Sequence, residues 1–213
     1  MNETSVQIWI PDGYMAMPLQ DIDQRMAVVQ DLIGEQPESD LKSTAMEFIP
    51  AATALFAGLA ERDARYCGVG RHLSSSGSVV TSCITVCVYE TGGEQTNPRV
   101  RLMDLVDSRN KYGDVWDSEP MDVDGRPMMF SERTVTLPVP DISGVPHAGG
   151  TAETYQLEAV VPSSDGTSIA SIEFSTAFVD HGPDFQKMIF DMARSIEFEP
   201  SSRAENRPSS LNL

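Results

Sequence analysis

Basic side chains are scarce in this chain: 15 Lys and Arg stand against 32 Asp and Glu in 213 residues, a formal net charge of −17. A surface so short of cations cannot reward a polyanion, which excludes nucleic acid and anionic membrane as main partners. Cysteine is thin as well. Three residues, an odd number, suit a reducing compartment and exclude a disulfide framework. The three histidines, His72, His147 and His181, lie far apart and leave little material for a histidine-based site. No apolar run is expected to reach the roughly 18–20 residues that span a bilayer. Met1 to Ser5 carry no positive side chain and lead straight into a strand-like segment, unlike a secretory signal. Asn2 stands where myristoylation needs glycine, and no prenylation box is present at the other end. The expected compartment is the cytoplasm.

What is present describes an ordinary globular composition, 40% hydrophobic and 22% charged. A chain of this length buries about 70% of its unfolded surface in one domain, so neither disulfide, metal nor cofactor is needed. Residues 5–199 contain no repeat and no linker and are expected to form one domain. The stretch from Pro200 to Leu213, rich in Ser, Pro, Arg and Asn, is expected to be a disordered tail.

Periodicity supplies the element order. Val6 to Ile10 alternates and stops at Pro11-Asp-Gly13, a strand and a turn. Leu19, Ile22, Met26, Val29 and Ile33 recur at helical spacing up to Gly34. Ser39 caps a second helix through Leu59, with Pro50 predicting a kink or two abutting helices. Ala64–Leu73 and Ser78–Thr91 form a hairpin, and Asn97-Pro98 opens a third helix ending near Gly113. Asp114–Val123 and Arg126–Leu137 flank Asp124-Gly125, the best short hairpin signal. Glu153–Val161 and Thr167–Phe178 follow, and Gly182-Pro183-Asp184 opens a last helix with Phe185, Met188, Ile189 and Met192 inward. Hairpin connections predict an α+β fold: a largely antiparallel sheet covered by helices on both faces.

Candidate chemistry is sparse. Cys67, His72, Cys83 and Cys87 suggest a zinc set, but Cys83 and Cys87 on one strand place their Cα atoms about 13 Å apart. That separation defeats both a shared zinc and a Cys83–Cys87 disulfide. Cys67 could face Cys83 across the hairpin, as a pair of buried free thiols or as a bonded pair. Cys67 and His72 as nucleophile and base fall on opposite strand faces, without a nucleophile signature. His181 reads as turn chemistry beside Asp180. Asp114, Asp117, Glu119, Asp122 and Asp124 form an acidic run, but a calcium loop would put Pro120 and Ser131 at ligand positions. A solvated strand edge accounts for the run better. Gly68-Val-Gly70 is no phosphate loop and is expected to be a bulge. Exposed Met15 and Met17 could join an adaptable interface.

Charge is unevenly spread. Residues 67–113 are near neutral, with five cations, Arg71, Arg99, Arg101, Arg109 and Lys111, against four acids. Arg99, Arg101, Arg109 and Lys111 on the third helix are therefore the candidate binding face.

Three segments carry a resemblance: Trp9-Ile-Pro-Asp-Gly13, Tyr66-Cys-Gly-Val-Gly-Arg-His72, and Phe178-Val-Asp-His-Gly-Pro-Asp-Phe185 leading to Ala193-Arg-Ser-Ile196. The chain resembles an uncharacterised actinobacterial family similar in pattern to the PsbP/DcrB-like superfamily, across roughly residues 5–199. The resemblance implies an α/β/α sandwich and a protein that acts by binding, without catalytic residues to carry over. The expected function is a non-catalytic protein-binding module, an adaptor or chaperone linked to secretion, with a protein partner and no membrane insertion. Alternatives are a toxin-immunity protein and a small-ligand domain or enzyme using Cys67 and His72.

Overall fold

The computed structural model describes residues 4–92, 95–113, 116–142 and 148–199. Asp114, His147 and the tail 200–213 lie outside the described residues. Strands occupy Val6–Gln7 (β1), Tyr14–Ala16 (β2), Ala64–Leu73 (β3), Val79–Glu90 (β4) and Asp117–Val123 (β5). Arg126–Pro138 (β6), Thr151–Pro162 (β7), Ser168–Thr176 (β8) and Glu197–Phe198 (β9) complete them. Helices are Ile22–Gly34 (α1), Asp40–Glu61 (α2), Pro98–Tyr112 (α3) and Gln186–Arg194 (α4), and a 3-10 segment, Val179–Phe185, leads into α4. Seven strands form one antiparallel sheet in the order β2-β3-β4-β8-β7-β6-β5, and β1 pairs with β9 apart from it. The fold is α+β, as the hairpin-rich order implies.

Alternation along the strands gives the sheet two faces. Val80, Ile84 and Val86 of β4, Leu157, Ala159 and Val161 of β7, and Ile172 and Phe174 of β8 pack with Phe185, Ile189, Met192 and Ala193. That is one core, under α4. On the other face Ile49, Ala52 and Phe56 of α2 and Met26 of α1 cover Cys67, while Leu102 of α3 covers Met129 and Val160. Helices therefore lie on both faces.

Local signals mostly acted as expected. Ser39 Oγ accepts from Lys42 N at 3.2 Å, capping α2, and Asn97 accepts from Arg99 N at 3.0 Å, capping α3. Asp124 and Gly125 both hold positive φ, 53° and 80°, so the β5–β6 turn has the backbone hand that hairpins favour. Several expectations are corrected. The first strand is only two residues, because its sole partner is the equally short β9. α2 runs unbroken through Pro50 and is not two helices. β2 went unread, since three residues carry no period. Gly68 and Gly70 sit in regular pairing with β4; the register shift lies at Ala64/Tyr66. Glycine at position 70 instead makes room, for a Cβ there would lie 2.7 Å from the His72 ring and 2.8 Å from that of Tyr14. The last helix begins at Gln186, with Pro183 inside the tighter 3-10 segment before it.

Candidate functional site

The four cations of the third helix do not share one open face. Arg99 clasps Asp122 with both carboxylate oxygens, at 2.6 and 2.7 Å, on the surface. Arg101 Nε donates to the Gly166 carbonyl at 3.3 Å. Lys111 Nζ stands 5.9 Å from the Tyr112 ring centre. Arg109 turns inward, where it is ion-paired to Glu158 and donates to Ser131 Oγ at 3.3 Å. Three of the four are thus engaged in holding α3 to loops and strands.

Among the described residues the thiols and the histidines His72 and His181 do not gather into one cluster. Cys67 Sγ lies 3.9 Å from Cys83 Sγ, unbonded, on the α2 side of the sheet. Its contact with Cys83 and its burial both push its pKa up, which favours the protonated thiol. His72 projects to the α4 side, with its ring 4.6 Å from Tyr14 and 6.0 Å from Phe185. Burial lowers its pKa, and its Nε2 has no partner. The sheet itself separates Cys67 from His72, so the two side chains do not meet as nucleophile and base in this structure. His181 Nδ1 approaches Asp184 at 4.0 Å, and Asp184 accepts from Ser75 N and Oγ, so this corner ties a turn to the 3-10 segment. Among the described residues no three His, Cys, Asp or Glu side chains group as metal ligands. Of the acidic run, Asp117, Glu119 and Asp122 lie on β5, an edge strand, where charge blocks further pairing, and Asp124 sits in the turn that follows.

Two surfaces stand out. The first is the outer side of α2. Its 22 residues are long and apolar enough to cross a bilayer by length and composition, although Asp40, Lys42, Glu47 and Glu61 interrupt them, and only 17% of its most apolar stretch is buried. Its sheet-facing residues are Ile49, Ala52 and Phe56. Beside them Leu41, Phe48 and Leu55, 79%, 51% and 57% exposed, recur every seven residues and so form one stripe. Small residues, Thr44 and Ala51, fall between them and Gly58 follows the last, where a Cβ would meet nothing. Around this stripe residues 21–63 carry nine acids against three cations. Val28 and Leu32 of α1 are also exposed.

The second surface is a polar cleft of about 320 Å³ on the sheet face between the end of α2 and α3. Glu158 of β7 and Glu173 of β8 are direct cross-strand partners on its floor. Glu158 is saturated: Ser171 Oγ donates to it at 3.1 Å and Arg109 pairs with it. Arg133 lies 3.9 Å over the Trp116 ring and donates to Gln156 at 2.8 Å. Glu173 is open to water at the mouth but walled elsewhere; burial and the Glu158 charge raise its pKa. Sequence reading missed this cleft because Glu158 and Glu173 occupy the alternate positions of half-buried strands, where a charge reads as solvent-facing. No protein-family model matches the chain and no curated protein matches it closely, so its function is read from these two surfaces.

Proposed function

We propose that this chain is a non-catalytic protein-binding module that holds a basic amphipathic helix of its partner along the outer stripe of α2. One observation carries the reading: Leu41, Phe48 and Leu55 are exposed at heptad spacing on a helix whose apolar surface the fold leaves mostly uncovered. An apolar stripe with small residues between its anchors accepts the knobs of a second helix. The acidic rim selects a cationic flank on that helix and disfavours a second copy of this chain, which carries −17 itself. Adaptor and chaperone roles, in which a basic client segment is held, suit such a surface, and the resemblance to binding proteins of the PsbP-like kind supports the same reading.

Fluorescence anisotropy with a synthetic Leu/Lys amphipathic helix tests it. The peptide is expected to bind with a Kd of about 10 μM or tighter and to weaken as salt rises. Phe48→Glu and Leu55→Glu should each weaken binding at least tenfold while changing unfolding free energy by no more than about 0.5 kcal/mol. Equal binding of a Leu/Glu peptide would overturn the reading. So would Phe48-dependent adsorption to lipid vesicles in place of the peptide, or a Phe48-dependent dimer in sedimentation.

A further inference from the structure

The polar cleft is costly to build, and its cost is not accounted for by the fold. Two carboxylates directly opposite one another on neighbouring strands repel, and here they occupy β7 and β8, the middle of the sheet. Arg109 compensates Glu158. Arg133 is committed to Gln156 and to the Trp116 face. Two groups of opposite sign make no direct contact, although Arg109, Arg62 and Arg133 all act on Glu173 through space. Among the described residues the Glu173 carboxyl makes no hydrogen bond or ion pair. The Arg62 guanidinium, just past the end of α2, likewise makes none. Both line the same cleft and face it from different elements, yet no contact within ion-pair reach joins them.

A gap between an unpaired cation and an unpaired anion is complementary to a molecule carrying both charges. We propose that this cleft binds a small zwitterion of amino-acid or dipeptide size, with its ammonium group on Glu173 and its carboxylate on Arg62. The volume of about 320 Å³ equals about ten waters at roughly 30 Å³ each, which suits a ligand of that size. The lining is polar, so recognition comes from charge and hydrogen bonds, with Gln156 and Thr85 offering further partners. A single anion would leave Glu173 uncompensated and would approach it against like charge. A single cation would leave Arg62 unused. The cleft contributes nothing to the α2 stripe reading and can stand or fall without it.

The test uses the full chain carrying Trp9→Phe, an exposed position away from the cleft, so that Trp116 alone reports. Glycylglycine is the probe, with acetate and ethylammonium as single-charge controls. Titration is expected to change Trp116 emission saturably, with a Kd of about 1 mM or tighter. Arg62→Ala and Glu173→Gln should each weaken glycylglycine at least tenfold, and Arg62→Lys should retain part of the binding. Circular dichroism confirms that each variant is folded; Arg62 is exposed and Gln is isosteric with Glu, so neither change threatens the core. Absence of saturation overturns the proposal. It is also overturned if acetate binds as well as glycylglycine and Glu173→Gln leaves it unchanged, for the cleft is then a plain anion site.

Discussion

Under α4 the central strands present Ile84, Val86, Ala159, Ile172 and Phe174, all buried, whereas their opposite faces present Thr85, Glu158, Ser171 and Glu173. Both sets come from the same strands by alternation, so the difference is one of cover. A nine-residue helix with Ile189, Met192 and Ala193 inward seals the first face. On the second, α2 and α3 cover the flanks through Phe56 and Leu102, and the strip between them is a charged network with room above it. Sealing that strip with an apolar helix would strand the Glu173 carboxylate without water. One face is thus closed by apolar packing, and the other keeps polar side chains and a cleft in reach of solvent.

The largest break in this comparison should come from the sealed face. Phe174 is 1% exposed and its ring lies 5.1 Å from that of Phe185. Phe174→Ala is expected to cost about 3–5 kcal/mol in urea unfolding, through lost burial and the cavity left behind. A small loss would mean that the α4 core collapses easily around the gap. On the open face Arg109→Ala strands the buried Glu158 carboxylate and should cost about 3 kcal/mol. Adding Glu158→Gln should return much of that loss, since it removes the uncompensated charge. No recovery in the double variant would show that Arg109 acts through packing on Trp116, 5.2 Å away.

The smallest effect is a change of slope. Burial and the neighbouring Glu158 hold the folded-state pKa of Glu173 above its unfolded value. Between those two values the folded chain binds the extra proton, so stability falls as pH rises through that window. Glu173→Gln should therefore remove that fall, so that the variant gains stability relative to the parent as pH rises through the window. A variant that instead loses ground to the parent over the same window would mean that Glu173 is compensated after all.

Much of the fold was legible. Ser39, Asn97 and Asp124-Gly125 work through neighbours in sequence, and Phe185, Met188, Ile189 and Met192 declare an inward face by period alone. The short strands β1 and β2 were less so, because pairing partners far along the chain define them and two or three residues hold no pattern. The candidate site was hardly legible. Arg109 reads like its neighbours Arg99 and Lys111, and only the register Ser131↔Glu158 beneath α3 turns it inward. Glu158 and Glu173 read as ordinary outward charges until the strand order β7-β8 sets them side by side.

By itself the sequence determined the acidic charge, the helix and strand periods, the caps and the hairpin turns, all of which depend on residues a few positions apart. The tertiary structure alone decided which polar side chains meet in the cleft and how much of α2 is covered. Those outcomes depend on strand order and helix placement, where contacts between distant residues, and not local propensity, set the energy.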